Sequence, residues 1–161
     1  MATTTLRASS VDIAALVGLM REFYAEGGYA LDDDWAASSF SALLGDPSRG
    51  MAWIVKVDGE PAGHAVLTLR HSMEFGGPDA FVDDLYVRPG FRRRGLGRTL
   101  LAALFDECAR RGVLAVHVET GADNAAARAL YEGFGMRDRR RLLLTTTLTE
   151  RSESPLDRPT A

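Results

Sequence analysis

The sequence predicts an α+β domain with a mixed, mostly antiparallel sheet of six to seven strands flanked by about four helices. Three observations carry that expectation. β-branched and aromatic segments are interleaved with segments whose apolar residues recur at helical spacing, in the order β-α-α-β-β-β-α-β-α-β. Asp58-Gly59 between two apolar runs is the strongest short hairpin signal available to a chain. Finally, Arg92-Arg93-Arg94-Gly95-Leu96-Gly97 lies between a strand-like and a helix-like segment, as the turn of a strand–turn–helix unit. With 161 residues the chain is long enough for one domain, over 4–149, that buries roughly two-thirds of its unfolded surface.

Thr4–Leu6 reads as a short first strand. Ser9 or Ser10 can cap a helix over 11–26, with Val11, Ala14, Ala15, Leu16, Leu19 and Phe23 on its apolar side and Gly27-Gly28 at its end. Asp32-Asp33-Asp34 supplies caps and first-turn acids to a second helix over 34–44, stopped by Gly45-Asp46-Pro47. Strands over 51–57 and 61–71 flank Asp58-Gly59, and the 74–79 turn leads into a strand at 80–88. A helix over 97–111, a strand at 113–119, a helix opening at Asn124 and a last, arginine-flanked strand at 139–148 complete the domain. Residues 150–161 have the composition of a mobile tail.

Composition excludes several classes. Apolar content of 46% with 25% charged residues is ordinary for a soluble globular protein. No apolar run approaches the ~18 residues of a membrane span, and the first residues lack the apolar centre of a signal peptide. One cysteine excludes an internal disulfide and fits a reducing compartment, so a cytoplasmic location is expected. Cys108, in an apolar helix, reads as a small buried side chain. A net charge of −3 argues against general nucleic-acid binding, although arginine is concentrated at 92–98 and 137–141. No His/Cys/Asp spacing resembles a metal-ligand set.

The 92–98 stretch has the chemistry of an anion site. Glycines allow close backbone approach, the first N–H groups of a helix are unpaired, and the helix dipole favours negative charge. Four arginines within seven residues add fork-shaped donors suited to a pyrophosphate. Spacing decides between known phosphate binders. Gly90-x4-Gly95 has P-loop glycine spacing, but Leu96-Gly97 stands where Lys-Ser/Thr is required. Gly95-x-Gly97-x-x-Leu100 lacks the third glycine of a dinucleotide fingerprint, although Glu119 falls where a ribose-binding acid would sit.

Arg92-x-x-Gly95-x-Gly97, after a strand ending Asp83-Asp84-Leu85-Tyr86-Val87, resembles the GCN5-related N-acetyltransferase (GNAT) superfamily, whose signature is [Arg/Gln]-x-x-Gly-x-[Gly/Ala]. A second block, Asn124-Ala125-Ala126-Ala127-Arg128-Ala129-Leu130-Tyr131-Glu132-Gly133-Phe134-Gly135-Met136, is similar to that family's Asn-x-x-Ala-x-x-Leu-Tyr-x-x-x-Gly-Phe helix, with a rearranged ending. The two blocks in order, over residues 4–149, imply the GNAT fold and acetyl transfer from acetyl-CoA to a primary amine by direct attack in a ternary complex. A non-catalytic CoA-binding sensor with the same fold is the alternative.

The resemblance implies that Arg92, Arg93, Arg94, Gly95, Leu96, Gly97 and Arg98 hold the pyrophosphate. It sets the pantetheine arm against the backbone of Leu85, Tyr86 and Val87, with Asn124 beside it, and makes Val87 N–H the donor to the thioester carbonyl. Tyr131 corresponds to a tyrosine beside the thiol and is assigned as general acid. Asp83 falls where polyamine-type members carry a glutamate base; it either removes the amine proton through water or attracts a cationic amine. Asp83 and Asp84 alternate along a strand and are expected on opposite faces, Asp84 supporting structure. His64, His71 and His117 read as strand residues with satisfied rings. Tyr24 and Tyr29, between acids in the segment joining the first two helices, suit an amine held by charge and cation–π contact. A small-molecule or protein amine is the expected partner, with neither nucleic acid nor membrane. Dimerisation through the last strands is common in the family.

Overall fold

The computed structural model describes residues 1–148. Its elements are β1 (Thr3–Arg7), α1 (Ile13–Glu26), α2 (Asp33–Leu44), β2 (Gly50–Val57), β3 (Glu60–Ser72), β4 (Gly77–Val87), α3 (Leu96–Arg110), β5 (Ala115–Val118) and α4 (Ala125–Glu132), with single 3-10 turns at 10–12 and 89–91. The strands form one mixed sheet in the order β1-β2-β3-β4-β5. The first three pairings are antiparallel and β4–β5 is parallel.

The local signals act as the residues dictate. Asp58 and Gly59 both take positive φ, 49° and 85°, the conformation that a two-residue β2–β3 turn requires. Asp32 caps α2 by accepting from Trp35 N–H, and Asn124 caps α4 by accepting from Ala127 N–H. Ser9, not Ser10, makes the first cap: it forms a capping box with Asp12, and the 3-10 turn intervenes before α1, which leaves Val11 outside the helix and exposed.

Two apolar layers cover the sheet. On one face Leu16, Val17 and Met20 of α1 and Ala36 and Phe40 of α2 pack on Ala52, Ile54 and Val66. On the other, Leu96, Leu100, Leu101, Leu104 and Cys108 of α3 pack with Tyr131 on Met51, Trp53, Val55, Ala65, Leu67, Ala80 and Val82. Burial pushes the Cys108 thiol up to about 11, so at neutral pH it is the inert packed side chain expected.

Among the described residues the sheet has five strands rather than six or seven. Residues 139–148 form no strand, and Leu142, Leu144 and Leu148 are each about nine-tenths exposed. Arg140 takes a positive φ of 53°, its N–H bonding the Asp138 carboxylate, which breaks the extended run. Arg141 is drawn instead to Glu74 (2.8 Å). Alternating apolar residues do not by themselves make a strand, and these pair with neither edge strand, β1 or β5. The tail expected at 150–161 lies outside the described residues.

Asp79, fully buried in β4, holds the far end of the sheet together. It accepts a two-pronged bond from Arg70 (2.7 and 2.8 Å) and lies 3.0 Å from His117 Nε2. Arg70 hydrogen bonding, helped by His117, holds its carboxyl below the usual range. A depressed carboxyl stabilises the fold above its unfolded pKa of ~3.9, and that stability is lost as pH falls through the lower folded value. Asp79→Asn is therefore expected to destabilise the protein by about 1–3 kcal/mol at pH 7, with a smaller difference from wild type at pH 3. Denaturant titrations at both pH values test this.

Candidate functional site

β4 and β5 are paired only from Asp79–Ala115 to Val82–Val118. Beyond Val82 the two strands part, so, among the described residues, 83–87 have a strand neighbour on the β3 side alone. Arg88 N–H donates to Ala62 O (2.9 Å). Antiparallel alternation therefore turns the N–H and C=O of Val87 and Leu85 toward the side β5 has left. Gly63 opposite Val87 permits this close register: a Cβ there would lie 2.5 Å from Tyr86 O. Arg92 Nε donates to the Val87 carbonyl (2.8 Å), while Val87 N–H faces the gap.

The loop after β4 ends beside that gap. Arg93 and Gly95 take left-handed φ values of 61° and 80°, and such turns orient backbone N–H groups into an anion-binding concavity. Gly95 is the N-cap of α3 and offers no side-chain bond, which leaves the first-turn N–H groups free; the first helical bond runs from Thr99 N–H to Gly95 O. Buried Leu96 pins the turn to the core. Gly97 lies against α4: a Cβ would come within 3.2 Å of Leu130 Cδ2. The cradle thus fits a pyrophosphate.

The arginines divide. Arg93 is exposed and without an ion pair among the described residues. Arg94 stacks over Phe91 and Arg98 over Phe134, both exposed at the loop. Arg92 is engaged elsewhere: its Nη2 bonds both Glu26 oxygens (2.6 and 2.7 Å), tying α1 to the loop.

Asp83 occupies a β-bulge. Val66 pairs with Asp84 and Leu67 with Val82, so Asp83 is the extra residue. The bulge reverses the expected alternation: Val82 and Leu85 both pack on the α3 side, and Asp83 and Asp84 both lie toward α1, where their charges act on Tyr24. The two aspartates do not face opposite sides. Burial, then Asp84 and Asp83, pushes the Tyr24 phenol up to about 12. Desolvation, Asp84 and Glu119 push the Asp83 carboxyl up, although solvent reaches its side chain. Tyr29 instead folds back over Gly27, its N–H bonded to Tyr24 O.

Tyr131 is buried in the α3-side cluster, its phenol raised by desolvation. Asn124 serves α4 as its cap (3.1 Å). His117 is tied to Asp79 and stacks on Phe81 at 5.0 Å, and His71 is exposed. His64 departs from the satisfied ring expected: it is fully buried with neither ring nitrogen hydrogen-bonded, and its Nε2 is 3.6 Å from Asp84 Oδ2. His64, Asp84 and Glu26 carried no local signal. Glu119 did, but in a dinucleotide context that the glycine spacing excludes.

The acetyltransferase (GNAT) family profile matches residues 15–136. The [ribosomal protein bS18]-alanine N-acetyltransferase of Escherichia coli strain K12 is 44% identical over 104 residues, 65% of this chain and 65% of that protein. Its Salmonella typhimurium counterpart matches over 40% of its length, so the chain spans less than two-thirds of these curated relatives. Mycothiol acetyltransferase of Beutenbergia cavernae is 41% identical over 56% of this chain and 29% of its own. Among solved structures, integron cassette protein HFX_CASS3 from the mobile metagenome of Cole Harbour Salt Marsh superposes with a TM-score of 0.83 at 41% identity over 90% of both chains. Aminoglycoside N-acetyltransferase AAC(6')-Iy in complex with CoA gives 0.78 at 19% identity over 92% of this chain and 96% of that one, a likeness of fold.

Proposed function

This chain belongs to the acetyltransferase (GNAT) family, and on that premise we propose that it transfers an acetyl group from acetyl-CoA to a primary amine, which attacks directly in a ternary complex. The observation that carries the reading is the open edge of β4 beside the α3 N-terminus: Val87 N–H and the first-turn N–H groups of α3 are backbone donors left without a strand or cap partner among the described residues. Acetyl-CoA is the family's co-substrate and supplies an activated thioester carbonyl. Residues 93–98 bind its pyrophosphate, the free edge of Leu85 to Val87 aligns the pantetheine arm with Asn124 beside it, and Val87 N–H donates to the thioester carbonyl. Arg92 holds the loop by way of Glu26. Tyr131 protonates the departing thiolate.

An alkyl ammonium has a pKa near ~10 and must lose a proton before it attacks. Asp83 accepts that proton; the causes that push its carboxyl up also make it the better base at neutral pH. Tyr24 and the neighbouring acids favour a cationic substrate, with Tyr29 at the rim. The bS18-alanine, mycothiol and aminoglycoside enzymes named above make small-molecule and protein amines equally suitable for trial.

The test is a panel of amines and N-terminal peptides with acetyl-CoA, followed by free thiol release. Saturable release with at least one amine supports the reading. CoA binding without release for any of them overturns it and leaves a sensor domain.

The division among the arginines gives a separate expectation. Arg94→Ala should weaken acetyl-CoA binding by about 1.5–3 kcal/mol, the worth of one charge-assisted contact. Arg92→Ala should be matched by Glu26→Gln if Arg92 acts by holding the loop. Calorimetric titration with CoA separates the two: an Arg92→Ala loss that Glu26→Gln does not reproduce would mean that Arg92 touches phosphate directly.

A further inference from the structure

We propose that His64 and Asp84 form a buried imidazole–carboxylate pair in which His64 is the positioning residue that fixes Asp84 as the anchor for the substrate's ammonium group, leaving Asp83 to take the proton. The proposal rests on the amine-acetylation reading above and assigns a residue that neither family motif contains.

His64 is 0% exposed, yet neither ring nitrogen has a hydrogen-bond partner among the described residues. An imidazole carries at least one N–H in every protonation state, so its burial there without a partner needs a reason. Its Nε2 is 3.6 Å from Asp84 Oδ2, just beyond hydrogen-bond distance, so the ring faces the carboxylate edge directly. Asp84 is 14% exposed, and its charge acts on both Tyr24 and Asp83. It therefore links the buried ring to the cleft.

The groups around the pair are Tyr24, Glu22 and Glu26 on α1, Asp83 and Tyr86 on β4, and Glu119 after β5. Tyr86 ring-packs on His64 at 6.2 Å and donates its hydroxyl to Glu26 (3.3 Å). Arg92 is taken by Glu26 and Arg88 by Glu22. Among the described residues, His64 is the one basic side chain within ion-pair distance of Asp84. Asp83 and Asp84 thus have unlike surroundings. Asp83, exposed in its bulge beside Glu119, is driven toward its neutral form, while Asp84 faces an imidazole. Adjacent carboxylates in such unlike surroundings take different roles.

The test compares wild type with Asp84→Asn, His64→Leu and the double variant on the best amine, following kcat and KM against pH. Asp84→Asn should raise the amine KM roughly tenfold, the scale of one charge-assisted contact, and move the rising limb of the kcat profile to lower pH, because Asp83 loses a negative neighbour. His64→Leu should raise KM likewise but move the rising limb to higher pH, because Asp84, no longer facing the imidazole, bears more strongly on Asp83. The double variant should be no worse than Asp84→Asn alone, since His64 acts through Asp84. CoA affinity should hold in all three.

Unchanged KM and pH profile in His64→Leu, or losses that add in the double variant, would overturn the proposal. So would a His64→Leu loss of melting temperature with unaltered kinetics, the mark of a packing role. If His64→Leu does not fold, His64→Gln takes its place. Wild type without thiol release would instead sink the amine-acetylation reading, and the coupling is then decided by NMR of histidine-labelled protein. Imidazole signals of His64 that move in Asp84→Asn uphold the pair; signals that stay put refute it.

Discussion

Tyr131→Phe is expected to lower kcat about 10²-fold, the usual contribution of a general acid, while CoA affinity and melting temperature stay near wild type. The ring fills space between α3 and the sheet and is kept by the substitution; only the hydroxyl goes. Burial raises the phenol above its ordinary ~10. A raised acid keeps its proton to higher pH, so wild-type kcat should hold through pH 9 and fall only above the ordinary tyrosine range. Steady-state kinetics on the best amine, with a CoA titration beside them, decide the matter. Turnover unchanged in the variant would remove Tyr131 from the chemistry and leave it as a packed aromatic.

Asp83→Asn should be as damaging. The amide is nearly isosteric but takes no proton at neutral pH. With Asp83 as the base, kcat falls by roughly 10²-fold or more. The rising limb of the pH–rate profile moves up, toward the amine's own pKa. In wild type that limb lies above the ordinary carboxyl value of ~3.9, because desolvation, Asp84 and Glu119 all favour the protonated form. A rise in KM with kcat intact would mean that Asp83 only attracts the cation. Both constants unchanged would exclude it from the mechanism and turn attention to Glu119, the other carboxylate at the parting of β4 and β5.

Cofactor and substrate sides differ in how much of them the sequence carries. The proposed phosphate cradle is a local object. Gly95 in the left-handed region, the unpaired first turn of α3 and the Asn124 cap of α4 depend on residues within a few positions of one another, and short-range patterns describe them fully. The proposed amine side is built from contacts between distant segments. Tyr24 meets Asp83 and Asp84 across some sixty residues of chain, and Arg92 meets Glu26 at a separation of 66.

By itself the sequence determined the α+β class, the order of its described elements through α4, the Asp58-Gly59 turn and the glycine turn that opens α3. Each follows from steric limits on φ and ψ or from side-chain periodicity, which act over one to four residues. Only the tertiary structure decided the bulge at Asp83, since one extra residue in β4 is visible only against the register of β3, and that register reverses which face every later residue takes. The same holds for the engagement of Arg92 by α1 and the burial of His64 against Asp84, both set by packing across the sheet. Residues 139–148 show the converse: strand-like alternation is present there, but a strand exists only through backbone hydrogen bonds to a neighbour, and these residues pair with none of the described strands.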